Sequence, residues 1–154
     1  DIEPRDKQWC LLARFGGSEG ILPDRLARFI RAMQANTALQ ASEAVEDDAS
    51  TWAEINTLTA LKARTNTVKI PLSLRQIPAL EAELSGTARR YSVGGNIAWV
   101  GTDDIVALDT ILTQQNLTGL TILGDTYSSV IGKPIDNIFA QRVKAVLDPD
   151  NKFV

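Results

Sequence analysis

With 154 residues, 44% hydrophobic and 23% charged, the chain has the composition of an ordinary globular domain that buries about 70% of its unfolded surface. A formal net charge of −3 gives no electrostatic case for nucleic acid or an anionic membrane, and no apolar run reaches the ~18 residues that a bilayer crossing needs. There is no histidine and Cys10 is the only cysteine, which excludes Ser-His-Asp and Cys-His catalysts, internal disulfides and cysteine clusters for zinc or iron–sulfur centres.

The chain opens on DIEPRDKQW rather than methionine and shows no signal-peptide pattern, so it reads as a piece of a longer protein cut at a domain boundary. Residues 8–15, QWCLLARF, read as a strand ended by Gly16-Gly17. After a turn at 18–20, Pro23 suits the first turn of a helix reaching about Ala35. Leu26, Phe29, Ile30 and Met33 form its apolar face, read as core rather than a binding groove. Residues 38–45, ALQASEAV, are a second strand candidate weakened by alanine. Asp47 and Asp48 make an acidic turn, and Ser50 is the N-cap candidate for a helix over 51–61 carrying Trp52, Ile55 and Leu58.

The second half has a clearer rhythm. A strand at 66–72 leads to Ser73 as N-cap and a helix over 74–84, with Pro78 near its first turn. Strands at 88–93 and 96–101 flank Gly94-Gly95, a hairpin signal because the tight primed turns need positive φ. Thr102 then caps a helix over 103–116, whose Asp103 and Asp104 suit the positive end of the helix dipole. A strand at 118–123 closes the unit, a turn-rich loop fills 124–134, and a last helix begins near Ile135. Its apolar positions, 135, 138, 139, 143, 146 and 147, make one stripe, and Pro149 stops it near Leu147. Two strand–helix–strand units joined by a hairpin predict a ferredoxin-like α+β sandwich, with a largely antiparallel sheet and helices on one face. The leading strand–helix–strand at 8–45 is expected to extend that sheet.

Few residues point to chemistry. There is no GxGxxG and no GxxxxGK[ST], so no phosphate-binding loop is encoded. Gly94-Gly95 serves either as a bare hairpin turn or as a place where a ligand or neighbouring domain approaches the backbone. Arg14, Arg89 and Arg90 could each hold a small carboxylate, but 89 and 90 point to opposite faces of a strand, so at most one faces a shared site. Arg89, Gly94 and Gly95 are taken as the substrate-side candidates. Lys133 is either a solvated lysine or an anion contact, and Trp9, Trp52 and Trp99 are too scattered for a stacking platform. The acidic pairs lack the spacing of a calcium loop. Asp148 sits at the unfavourable end of a helix dipole, either folding the turn by accepting backbone N–H groups or aiming the tail outward.

The ending IDNIFAQRVKAVLDPDNKF at 135–153 resembles the end of the C-terminal domain of FAD-linked oxidases, the vanillyl-alcohol oxidase-type flavoproteins, and most of all the flavin subunit of glycolate oxidases. TWAEINTL at 51–58, VKIPLSLRQIPALEAEL at 68–84 and RRYSVGGNIAWVG at 89–101 look like earlier pieces of the same domain, so the likeness spans roughly the last two thirds of the chain. Tyr91 stands further from Gly94-Gly95 than the family's aromatic-x-Gly-Gly segment has it. The resemblance implies a ferredoxin-like cap on the substrate side of an enzyme that passes a hydride from a small 2-hydroxy acid to FAD. It also implies that an N-terminal FAD-binding domain absent from this chain holds most of the cofactor, that other oxidase subunits are possible partners, and that Asn151 and Lys152 reach toward the flavin. No nucleic acid and no membrane insertion are expected, and a reducing, cytoplasmic location fits the single cysteine. The rival reading is a non-catalytic ferredoxin-like module for small-ligand binding or subunit assembly. 

Overall fold

The computed structural model describes residues 1–5, 8–36, 41–43, 45, 48–124, 128–134, 137–150 and 152, with the side chains of 137, 139 and 140 outside the description. In chain order come β1 (Ile2–Arg5), β2 (Gln8–Leu11), α1 (Leu22–Gln34), α2 (Ala49–Thr57), α3 (Thr59–Lys62), β3 (Asn66–Pro71), α4 (Ile77–Glu83) and β4 (Ala88–Ser92). They are followed by β5 (Ile97–Thr102), α5 (Ile105–Gln114), β6 (Thr118–Leu123), β7 (Val130–Gly132) and α6 (Asn137–Leu147). The strands form one sheet in the order β2-β1-β4-β5-β3-β6-β7, each neighbouring pair antiparallel.

The middle of that order, β4-β5-β3-β6, is the ferredoxin-like arrangement. Each strand–helix–strand unit skips a place in the sheet, and a strand of the other unit fills it. Alternation along the strands decides which face becomes the core. The register Val68↔Val100 and Ile70↔Ala98 puts four fully buried side chains on one face. Leu80 and Leu84 come down on them from the α4 segment, and Leu108 and Leu112 from α5. Asp104 caps α5 by accepting from the Ala107 amide at 2.9 Å, while the Thr102 hydroxyl accepts from the Asp104 amide at 3.0 Å. The cap therefore lies two residues past Thr102 and α5 starts at Ile105.

The opposite face is not bare. Gly101 lies against α3, where a Cβ would stand 2.8 Å from the Leu61 carbonyl oxygen. Ile55 and Leu61 are buried there, so α2 and α3 cover the β4–β5 region from the side away from α4 and α5. The expected helix over 51–61 is two helices, broken at Leu58 with φ 57°. Ser50 lies inside α2, whose N-cap is Asp48.

Other expectations shift in detail. The 74–84 segment starts as a 3₁₀ turn at Leu74–Gln76 in which Ser73 and Gln76 form a capping box, then continues as α4. The sheet is extended by the β1–β2 hairpin, pairing Ile2 with Tyr91; the expected strand at 38–45 is not seen among the described residues of that stretch. Residues 41–43 and 45 have no regular structure, and the rest of that stretch lies outside the described residues. β1 was hidden because IEPR carries two charges and a proline in four residues, with no apolar alternation to mark it. At the other edge, the three residues of β7 add to β6 inside the segment expected to be loop, too short to show any period. Among the described residues no helix is long and apolar enough to cross a membrane.

Candidate functional site

β4 sends its consecutive arginines to opposite faces. Arg89, on the α4 side, grips the Glu81 carboxylate with two parallel bonds, Nε to Oε1 at 2.7 Å and Nη2 to Oε2 at 2.6 Å. Its Nη1 donates to the Thr87 carbonyl at 2.8 Å, and its guanidinium lies 5.6 Å from the Trp9 ring centre. The Tyr91 hydroxyl donates to the same Glu81 carboxylate. Burial, and then that hydrogen bond, push the Tyr91 hydroxyl far above the usual phenol range, so it stays a donor. Trp9 in turn tilts against Tyr91 at 6.1 Å between ring centres. Arg89, the substrate-side candidate, thus has its charge matched by Glu81 and ties the β1–β2 hairpin and α4 to β4.

Arg90 faces the other way and is buried. Its Nη1 donates to the Ile55 carbonyl at 2.7 Å and its Nε stands 3.4 Å from the Asp1 carboxylate. Burial pulls its pKa below the ordinary guanidinium value. The side chain borders a cleft of about 490 Å³ walled by residues 3–5 of β1, by Thr51 to Leu61 of α2 and α3, and by the start of β4. Glu3 and Arg5 pair at 2.6 Å on one wall, Glu54 stands on another, and Ile55, Leu58 and Leu61 supply apolar lining.

The two glycines lie elsewhere. They form the turn after β4, in which Val93, Gly94 and Gly95 all have positive φ, 53°, 63° and 86°. A Cβ at Gly95 would collide with Leu74 Cδ2, whereas one at Gly94 meets nothing within 4 Å. Turn conformation and the close approach of the Leu74 segment account for both glycines. β4 ends at Ser92, so Gly94 lies beyond the strand that carries Arg89, and neither glycine lines the cleft. The three substrate-side candidates do not share a site. Arg14 is held by Asp48 at 2.9 Å and lies 5.8 Å from the Trp52 ring, while Lys133 is exposed.

At the C-terminal end Asp148 is buried, and its Oδ1 accepts the Lys152 amide at 2.6 Å, so the carboxylate folds the turn after α6. Lys152 extends into solvent and pairs with Asp150 at 2.9 Å; Asn151 lies outside the described residues. Of the two cofactor-side candidates only Lys152 is described, and its ammonium is matched by Asp150. Among the described residues there is no group of three His, Cys, Asp or Glu side chains that could hold a metal ion.

Sequence reasoning put Arg89, not Arg90, on the substrate side. What distinguishes the two is parity along β4: Arg89 lies on the same face as Tyr91 and pairs with Glu81, while Arg90 lies on the opposite face against the Ile55 carbonyl, and both line the cleft. No family model, no curated protein and no solved structure matches the chain.

Proposed function

We propose that this chain is the C-terminal, substrate-side cap domain of an FAD-dependent oxidoreductase that oxidises a small 2-hydroxy acid such as glycolate. The observation that carries the reading is the ending, in which α6 stops at Asp148-Pro149 and the Asp148 carboxylate folds the chain back through the Lys152 amide. It follows a ferredoxin-like unit in the order in which FAD-linked oxidase C-terminal domains resemble this chain. FAD, when bound, is the hydride acceptor and carries the hard chemistry. Its cradle belongs to an N-terminal FAD-binding domain, with other oxidase subunits as further partners, because these residues supply no phosphate loop. Without histidine, removal of the substrate hydroxyl proton needs either a different kind of base on this chain or a base on that partner domain. This chain's own share is a wall of the pocket and the Asp148–Lys152 turn. A reducing, cytoplasmic setting accords with one unpaired cysteine.

Two measurements test this. Titration of FAD into the 154-residue chain should show weak binding or none; a tight one-to-one complex overturns the division of labour. In the enzyme that includes this chain together with its flavin domain, glycolate or a close homologue should bleach the flavin absorbance under anaerobic conditions. An oxidised flavin that survives every small 2-hydroxy acid removes the oxidase reading.

A further inference from the structure

We propose that the outer edge of β2 pairs with the β2 edge of a second copy of this chain, antiparallel about a two-fold axis that sets Cys10 opposite the second copy's Cys10. The pairing uses no flavin and is independent of the oxidase reading.

Hydrogen-bond parity decides which groups of β2 face outward. The Asp1 amine donates to the Leu12 carbonyl at 2.8 Å and the Leu12 amide to the Asp1 carbonyl at 2.8 Å, so these residues form a hydrogen-bonded pair. In an antiparallel ladder such pairs alternate with pairs whose N–H and C=O groups point away from each other. Along the register Ile2↔Leu11, Glu3↔Cys10, Pro4↔Trp9 and Arg5↔Gln8, the bonds inside the hairpin therefore fall to Cys10 and Gln8. The main-chain groups of Trp9 and Leu11 point away from β1. Pro4, with no N–H to give, stands opposite Trp9 in a pair that exchanges none. β2 is last in the sheet order, so among the described residues no strand meets the outward groups of Trp9 and Leu11.

Sheet edges are ordinarily blunted by charge, proline, a bulge or extreme shortness. The other edge fits that rule, since β7 has three residues and ends on Gly132 with φ 80°. β2, QWCL, has no charge, proline or glycine. Its outward residues flank Cys10 symmetrically, which is what an isologous two-fold contact requires. With the axis at Cys10, Trp9 meets the second copy's Leu11 and Leu11 its Trp9, and each of these residues donates one bond and accepts one. An uncharged strand meets itself without like-charge repulsion, and the cross-strand Trp–Leu pairs cover side chains that are 52% and 46% exposed. The two Cys10 residues form a pair without hydrogen bonds, with Cα atoms roughly 4.5 Å apart. That lies within the range of roughly 4.4–6.8 Å that a disulfide spans.

Sedimentation of the reduced 154-residue chain across a dilution series should show a reversible passage from the mass of one chain to twice that mass. At the concentrated end, hydrogen exchange should slow at the amides of Trp9 and Leu11 and stay unchanged at Cys10, whose amide is already bonded inside the hairpin. Diamide, which takes two electrons and two protons from a pair of thiols, should join the copies through Cys10. The joining should be at least about tenfold faster than in Leu11→Pro, because pairing raises the effective concentration of the second thiol. Leu11→Pro deletes an outward donor and leaves the hairpin's own bonds in place. Cys10→Lys gives a second reading: the new ammonium faces Glu3 across the hairpin but its own copy across the axis, so the fold is kept and the dimer is lost. A single chain at every concentration, a dimer that survives both substitutions, protection that spares Trp9 and Leu11, or cross-linking as fast in Leu11→Pro as in the original chain overturns the proposal.

Discussion

Residues 66–132 and the two outer helices, α1 and α6, obey the same helical patterning and end in opposite states. The main buried cluster runs from Val68 to Ile131, and α4 and α5 each lay leucines onto the sheet. α1 has an equally clear apolar stripe, yet Leu26, Phe29, Ile30 and Met33 are only half-buried and Phe29 has the ring of Phe15 at 4.9 Å as its aromatic neighbour. In α6, Val146 and Leu147 are 79% and 75% exposed. A 3.6-residue period names the face that seeks cover, not what covers it. The sheet supplies the partner for α4 and α5 because the chain returns to it immediately on both sides of each helix.

The largest expected effect breaks that contrast directly. Leu112→Ala, at a fully buried position, should cost about 2–5 kcal/mol in urea unfolding, as large-to-small changes in packed cores do. Phe29→Ala removes more atoms but should cost less than half as much, since its side chain stays half in water. Equal losses would mean that the α1 face is covered in solution.

The same contrast explains what the sequence revealed. Within 66–123 each element carried its own signal: alternation in VKI and IAWV, a capping residue before each helix, and glycines between the strands. Local signals and topology agreed, so the ferredoxin-like order could be read. Outside that stretch the signals were absent or ambiguous. β1 and β7 form because β4 and β6 offer them an edge, a tertiary cause that four or three residues cannot announce. The site was legible only in part. An arginine pair on a strand was visible, but which member meets Glu81 and which meets the Ile55 carbonyl depends on the faces that α4 and α2–α3 occupy. Leu58 at positive φ splits a helix that the periodicity ran straight through.

The glycine turn sharpens the comparison at a single hinge between two core strands. Gly95→Ala should destabilise by about 1–3 kcal/mol, because a Cβ in the left-handed region is strained and must also push Leu74 aside. Gly94→Ala carries the backbone strain alone, in open space, and should lie at the lower end, about 1 kcal/mol. A reversed order would show that something other than the Leu74 segment approaches this turn.

A weaker effect is expected at the start of α5. The Thr65 amide, then Arg64 and the Thr65 hydroxyl, hold the Asp103 carboxyl below its ordinary value. The folded state therefore binds this proton less readily than the unfolded chain. The contribution is complete above the ordinary carboxylate range near pH ~4 and is lost as pH falls through the lowered folded value. Asp103→Asn should flatten that acid limb of stability while leaving the other limb unchanged. The carboxylate is fully exposed, so the change should be small and should shrink with added salt.

The smallest expected effect on stability tests the tail. Asp148 is buried and folds the turn through the Lys152 amide, which makes it the structural part of the tail. The Lys152 side chain, in contrast, extends into solvent against Asp150. Replacing Asn151 and Lys152 together with alanine should change the stability of this chain by less than about 0.5 kcal/mol, as ordinary surface substitutions do. In the flavin enzyme the same double change separates the two roles of the tail. If Asn151 supplies a donor–acceptor pair and Lys152 a positive charge near the flavin, flavin content after gel filtration or turnover falls while the melting temperature of this chain stays put. Unchanged flavin occupancy and unchanged turnover leave Asp148-Pro149 as the end of a helix and nothing more.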